Sequence, residues 1–581
     1  MQLKLNIKQI VTVASITAAA LIISSCYNAK VENPSQGSSV SKEKITEQPQ
    51  GLIQFEYFEY QGKDPVYKQP LSPSQYFNPI ISGFYPDPSI TRRGNDFYIV
   101  TSSFAYLPGL PIFHSQDLIN WQLIGHGLTS QNAIDFSNIQ VSDGIYAPTI
   151  RYHNGLFYII STAVHAGGNF IITAKDPAGP WSKPNWLPEV GGIDPDIFFD
   201  DDGRVYITHN DAPPSEPLYD GHRAIWIWEY DLSEQKVIAD SKRLLVDGGV
   251  DIRKKPIWIE GPHIYKINDW YYLLCAEGGT AKDHSEVVFR TKNLSEPFVP
   301  YKKNPILTQR DLNPNRENPI TTAGHADLVQ LDNGQWWAVF LATRAYEQYL
   351  FNTGRETFLL PVTWQDDWPI ILPAGQQIPY IADSPLGMPR FETRQPVSGN
   401  FIWRDDFNNN ELKPGWTWLR DYLPARAKIN HGSLELSSNK EHLTHGIASF
   451  IGKRQQHQTF TASTKLKLPS QVGISAGMVA FQNEKFNYYF AVKKAHNGYQ
   501  VFVEQSVNGV LSTLAVSEVL SLTDGDPITF FIDGKINTLD LYFEVSGRQV
   551  TFLKNVDATV LSTEKAGGFV GAMIGLHSRI E

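Results

Sequence analysis

Five copies of one pattern constrain this chain more than any other feature. A polar turn, an aromatic or apolar pair and an apolar strand recur as Gly94-Asn95-Asp96-Phe97-Tyr98, Asn154-Gly155-Leu156-Phe157-Tyr158, Asp202-Gly203-Arg204-Val205-Tyr206, Asn268-Asp269-Trp270-Tyr271-Tyr272 and Asn333-Gly334-Gln335-Trp336-Trp337. The pairs lie 60, 48, 66 and 65 residues apart. Asn, Asp and Gly suit tight hairpins, and the Ile, Val, Leu and Tyr that follow suit strands. Five related units, each long enough for four strands, fit a five-bladed β-propeller. A β-sandwich gives no reason for five related units.

The rest of the chain divides around that block. Residues 376–400 are rich in Pro, Gly and polar groups and read as a connector. From Phe401 onward, runs such as 461–468, 499–504 and 539–545 alternate apolar and polar residues, as strands with one buried face do. About 180 residues of this kind fit two packed antiparallel sheets, a lectin-like, concanavalin A-like sandwich. The expected fold is therefore all-β, with a propeller over 77–385, a connector over 386–400 and a sandwich over 401–581. Aromatic residues make up 12% of the chain, which favours strands and flat ring-binding surfaces.

The N-terminus reads as an address. Lys4 and Lys8 precede an uncharged, mostly apolar stretch over 10–23 that ends in Ile23-Ser24-Ser25-Cys26. It is short for a membrane span but suits a signal-peptide core. Residues 1–25 are expected to be cleaved, with Cys26 lipidated as the first mature residue of an exported bacterial lipoprotein, in the periplasm or at the outer membrane. Residues 26–76 are expected to be a tether and N-terminal extension, polar over 27–50. Cys275, in an apolar run, reads as a packing residue. With only two cysteines the chain has no disulfide framework and no zinc cluster. A net charge of −10 without a long basic run excludes a nucleic-acid surface and leaves the lipid as the only expected membrane contact.

Ten or eleven residues before each repeated pair stands a polar or ionisable residue: Asp87, Tyr146, Asp194, Glu260 and His325. Equivalent positions at the start of each inner strand of a propeller converge on its axis. Three carboxylates, an imidazole and a phenol should therefore meet at one mouth of the channel. Asp87-Pro88, Asp194-Pro195 and Glu260-Gly261-Pro262 each carry a proline close behind the acid, which should hold the backbone before it extended. Crowded carboxylates in a partly apolar pocket do not all ionise. One is pushed toward a proton donor while another stays a base, the division that breaking a glycosidic bond requires. Calcium is the main competing use of three acids, but single acids on separate blades supply few oxygens at bonding distance. The acidic turn Asp200-Asp201-Asp202 reads as a solvated hairpin tip. Glu277 and Asp327 are candidates for supporting the carboxylates.

At these residues the chain resembles glycoside hydrolase family 43, specifically its β-xylosidases and α-L-arabinofuranosidases with a C-terminal sandwich. The resemblance spans roughly 77–581. It rests on Asn78-Pro79-Ile80-Ile81-Ser82-Gly83-Phe84-Tyr85-Pro86-Asp87-Pro88-Ser89, Thr101-Ser102-Ser103-Phe104, Ile193-Asp194-Pro195, Glu260-Gly261-Pro262-His263-Ile264-Tyr265-Lys266, Ala276-Glu277-Gly278-Gly279-Thr280, Gly324-His325-Ala326-Asp327, Gly354-Arg355-Glu356-Thr357-Phe358 and Trp403-Arg404-Asp405-Asp406-Phe407. It implies single-displacement, inverting chemistry with Asp87 as general base, Glu260 as general acid and Asp194 as the carboxylate that orients the acid and tunes its pKa. By the same resemblance Arg355 binds the terminal sugar, Phe104 walls its pocket, and His325 holds a water or, in some relatives, a metal ion such as Ca2+. No organic cofactor is implied. Tyr146 stands where many xylosidases of this branch have Trp, which bears on xylose against arabinose.

The expected activity is exo-acting release of terminal β-D-xylose from xylo-oligosaccharides. α-L-Arabinofuranosidase activity, alone or alongside it, is the close alternative. A non-catalytic glycan-binding lipoprotein is the alternative from another class, and it would have no need of Asp87 or Glu260.

Overall fold

The computed structural model describes residues 51–389, 391–421, 426–444 and 446–581. The expected signal peptide, Cys26 and the polar part of the tether lie outside the described residues. Five antiparallel sheets follow one another along the chain. Their first strands are Ser89–Arg93, Thr149–His153, Ile193–Phe199, Glu260–Ile267 and Ile320–Gln330. Each of these strands neighbours the next, and the fifth returns to the first, so they form the inner ring of a five-bladed propeller.

The repeated pairs have a physical explanation in this ring. Successive side chains of a strand point to opposite faces of its sheet. Each blade is packed between two others, so both members of the pair are needed. Phe97 packs between the first and fifth blades and Tyr98 between the first and second. Val205 and Tyr206 do the same on either side of the third blade. Tyr272 faces the fifth blade and Trp337 the first. The propeller core is thus five apolar wedges, one per blade junction. The hairpin at Asn154 and Gly155, with φ of 48° and 83°, has the two left-handed residues of a type I′ turn. Every blade is one continuous stretch of chain. The ring is tied where Gln75–Phe77 pairs with Ile381–Asp383 and Ile81 bridges to Thr357.

Two eight-stranded sheets form the C-terminal sandwich, and one large apolar cluster fills the space between them. The expected boundary needs correction at two places. Leu52–Gly62, assigned from sequence to the N-terminal extension, is a strand of the sandwich, paired with Ser433–Ser437, Ile402–Asp405 and Thr459–Lys467. It buries Ile53, Phe55, Phe58 and Tyr60 in the sandwich core. A register shift between Phe55 and Tyr57 breaks its alternation, and its partners lie far along the chain, so nothing local in the sequence marks it. Tyr106–Leu107, from the first blade's insertion, joins the edge of the other sheet through Thr417–Leu419.

The two units are locked together. Phe84, Phe104 and Tyr106 of the propeller pack with Phe450, Phe481 and Met573 of the sandwich. Buried Arg344 donates to Glu356 at 2.7 Å, to Asp64 at 2.5 Å and to the Gln456 carbonyl at 2.7 Å. It thereby joins the fifth blade, the N-terminal segment and the sandwich. This docking sets a sandwich loop over the mouth of the propeller.

Candidate active site

One cavity of about 1270 Å3 opens at that mouth, and Asp87, Phe104, Tyr146, Asp194, Glu260, His325 and Arg355 all line it. Every propeller residue singled out for the site from sequence is brought there. The backbone does this by an unexpected device. Asp87, Asp194 and His325 have φ of 54°, 55° and 54°, and for Asp194 and His325 this coincides with a register shift in the inner strand. Such a bulge turns a side chain out of the sheet, here toward the axis. The prolines do not hold the acids extended, as the sequence suggested: the residue before Pro88, Pro195 and Pro262 is left-handed in each case.

The fourth blade differs in detail. Its left-handed position is Gly261, φ 57°, so Glu260 stands one residue before the place that Asp87, Asp194 and His325 occupy. The five polar residues therefore do not share one position, a correction to the counted spacing. Asp tolerates the left-handed region better than Glu, and Gly occupies it at no steric cost. The longer side chain of Glu260 reaches the cavity from the residue before that turn, at the edge of a register shift in its own strand.

The three acids have different surroundings. Asp87 accepts from Ser102 Oγ at 2.5 Å and from Arg355 Nη1 at 3.0 Å, with His325 Nδ1 at 3.6 Å. Glu260 is 6% exposed, and burial followed by the charge of Asp87 pushes its pKa up to about 8, opposed by Arg355 and Arg223. Burial, and then the charges of Glu260 and Asp87, raise Asp194 well above the carboxylate range against the Gly261 N–H and Arg355. Burial lowers the His325 pKa to about 4, so its ring is neutral at pH 7. Of the three carboxyls, the one holding a guanidinium and a hydroxyl donor is Asp87.

Beneath the acids the axis is filled. Arg151 donates to Asp327 Oδ2 at 2.8 Å and lies 3.1 Å from Asp196 Oδ1 and from His263 Nδ1. Asp327 also accepts from Ser89 Oγ at 2.6 Å, from the Ile90 N–H at 2.9 Å and from Tyr265 OH. Asp327 thus supports the strand that follows Asp87. Glu277 instead accepts from the Val250 N–H at 2.9 Å and holds the loop there. Of the carboxylates near His325, Asp327 is bound to Arg151 and Asp87 to Arg355 and Ser102. Among the described residues no cluster of three or more His, Cys, Asp or Glu could hold a metal. Asp200, at the acidic turn, accepts from Lys266 Nζ at 3.0 Å and Tyr271 OH at 2.8 Å.

Sequence reasoning missed the third ring of an aromatic box. Phe569, from the sandwich, stacks on Phe104 at 6.4 Å and meets Tyr146 edge-on at 5.5 Å. Phe104 meets Tyr146 edge-on at 5.9 Å, and the Arg355 guanidinium lies 5.7 Å from the Phe569 ring centre. The Phe569 N–H bonds Ser142 Oγ at 3.0 Å, which pins the sandwich loop to the propeller. The only signal for Phe569 was Gly567-Gly568-Phe569, two glycines with φ of 74° and 79°, and nothing in it told where the loop would lie. Trp258 also lines the cavity and had no sequence signal beyond lying two residues before Glu260.

Buried, unequal carboxyls beside an aromatic box at a propeller mouth define a glycoside hydrolase type of site. A family model described as glycosyl hydrolases family 43 matches residues 76–369, and one described as the beta xylosidase C-terminal concanavalin A-like domain matches 404–579. The chain is 38% identical over 505 residues to a xylosidase/arabinosidase of Butyrivibrio fibrisolvens, covering 86% of this chain and 95% of that protein. It is 36% identical over 526 residues to a non-reducing end alpha-L-arabinofuranosidase of Bacteroides ovatus, covering 87% and 92%. Among solved structures, a GH43_12 protein from a capybara gut metagenome superposes with a TM-score of 0.84 at 39% identity, over 91% of this chain and 99% of that one. The chain belongs to glycosyl hydrolases family 43.

Proposed function

We propose that the protein is an exo-acting, inverting glycosidase that releases terminal β-D-xylose from xylo-oligosaccharides. The observation that carries this is the unequal partnering of the carboxyls. Asp87 accepts from Arg355 and Ser102 and acts as the base that takes a proton from the attacking water. Glu260, its pKa raised to about 8, keeps the proton that the departing oxygen needs. Asp194, its pKa raised by burial and by the charge of Glu260, orients that acid. Arg355 and the box of Phe104, Tyr146 and Phe569 hold the terminal sugar. Water attacks the anomeric carbon as the glycosidic bond breaks, with one proton passing to Asp87 and one leaving Glu260.

A second reading, α-L-arabinofuranosidase activity alone or alongside, is favoured by Tyr146 and by the names of the Butyrivibrio and Bacteroides relatives. The test is hydrolysis of nitrophenyl β-D-xylopyranoside against nitrophenyl α-L-arabinofuranoside by wild type, Asp87→Ala and Glu260→Ala. Activity on one or both sugars, lost in Asp87→Ala, supports the reading. A wild type no faster than Asp87→Ala on either glycoside returns the protein to the glycan-binding alternative. We also propose, from the sequence alone, that Cys26 anchors the enzyme at a bacterial membrane surface. Loss of labelled palmitate incorporation in Cys26→Ser tests that anchor.

A further inference from the structure

The cavity exceeds what one terminal sugar needs. Its volume of about 1270 Å3 is above the roughly 300–1,000 Å3 of a pocket for one small ligand. The aromatic box accounts for one group of wall residues. Trp258, Gly279 and Thr280 line the same cavity, and among the described residues no ring contact joins Trp258 to the box. A different part of the wall thus carries a second aromatic platform, two residues before Glu260.

Trp258 is held in place from three sides. Its φ is 49°, a rare backbone for a bulky residue and one that persists where surroundings enforce it. Its N–H bonds the Gly221 carbonyl at 2.9 Å, and the Gly278 N–H bonds the Ile257 carbonyl at 2.9 Å. The Arg223 guanidinium lies 3.9 Å from the centre of the indole ring. Arg223 covers one face of the indole, and Trp258 as a residue is half-buried and lines the cavity. A rigid flat ring backed by a cation costs little entropy to present to a sugar face. Arg223 also acts on Glu260, whose proton it makes easier to release, so the platform and the acid share one neighbour.

We propose that Trp258, backed by Arg223, is the surface on which the first leaving-group sugar stacks during cleavage. The ligand class is a pyranose ring joined through the scissile oxygen, as in an oligosaccharide. The proposal rests on the glycosidase reading above. It gives a use to the part of the cavity wall formed by Trp258, Gly279 and Thr280.

The test compares an unsubstituted disaccharide with the methyl glycoside of the same terminal sugar. Both leaving groups need the proton of Glu260, but only one carries a ring. Wild type, Trp258→Phe and Trp258→Leu are assayed for kcat/KM, with melting temperatures as the check on folding. Trp258→Phe keeps a flat face, and Trp258→Leu keeps bulk without one. The expected result is a loss of about tenfold or more on the disaccharide for Trp258→Leu, a smaller loss for Trp258→Phe, and methyl glycoside rates within about twofold of wild type. Equal losses on both substrates would mean that Trp258 acts through Glu260 or the terminal sugar, and would overturn the proposal. Unchanged rates on both would overturn it as well. A wild type inactive on both substrates, and on both nitrophenyl pentosides, would remove the glycosidase reading itself, whereas an active wild type with an unshifted ratio sinks only the platform.

Discussion

Arg355 Nη1 donates to Asp87 Oδ1 at 3.0 Å. The arginine expected to bind the sugar thus also holds the base, and Ser102 holds the other oxygen of that carboxylate at 2.5 Å. A carboxylate gripped at both oxygens has one orientation, which a group that must meet a water molecule requires. The two residues come from opposite ends of the propeller, Asp87 before the first blade and Arg355 at the third strand of the fifth. Closure of the ring is therefore a condition for assembling the base.

Ser102→Ala removes one of these two anchors without touching the sugar. A hydrogen bond to a charged group is worth about 1.5–3 kcal/mol, so kcat should fall by about tenfold or more with KM nearly unchanged. Arg355→Ala should instead raise KM and lower kcat together. Steady-state kinetics on a nitrophenyl glycoside separate the two patterns. Asp87→Ala should cost about 10²–10⁴-fold in kcat.

The pH profile should carry the signature of Glu260. Its acid form is needed and its pKa lies at about 8, so kcat/KM should decline as pH rises through that value. A dinitrophenyl glycoside, whose leaving group needs no proton, should lose this alkaline limb. Glu260→Ala should retain far more activity on that substrate than on an oligosaccharide.

The same shift has a cost in stability. The folded pKa of Glu260 is about 8 against an ordinary value of 4.5, so between these values the folded state binds more protons than the unfolded chain. Stability from this group is full below about 4.5 and is lost as pH rises through about 8. Glu260→Gln, always neutral, should therefore melt higher than wild type, by a margin that widens from pH 5 to pH 8. Thermal unfolding across that range checks it, alongside the expected loss of activity.

The first product should have the inverted anomeric configuration. Proton NMR during hydrolysis of a β-D-xyloside should show α-D-xylose appearing before mutarotation. First appearance of β-D-xylose would require a covalent intermediate and would contradict the roles given to Asp87 and Glu260.

Deleting Leu52–Gly62 should unfold the sandwich rather than trim a tail. The strand pairs with three others and buries Ile53, Phe55, Phe58 and Tyr60. Arg344→Ala tests the junction separately. It leaves Glu356 and Asp64 buried without their partner, at a cost of about 3–5 kcal/mol. Denaturant titration of each variant reads both effects.

The propeller and the gathering of its acids were legible in the sequence because both depend on local, repeated patterns. The pairs such as Phe97-Tyr98 and Val205-Tyr206 mark blades, since a strand between two neighbours must be apolar on both faces. Asp87, Asp194, Glu260 and His325 stood out because a repeat makes equivalent positions comparable. Only the tertiary structure decided how those acids point: φ above zero at Asp87 and Asp194, and the offset of Glu260 by one residue from Gly261, are backbone features that leave no mark in the composition. It alone also decided what lies over the mouth. Phe569 reaches the site because the sandwich docks on the propeller, and the strand Leu52–Gly62 belongs to that sandwich because its partners lie hundreds of residues away. Local pattern records which face of a strand must be buried; it carries no information about which distant segment buries it.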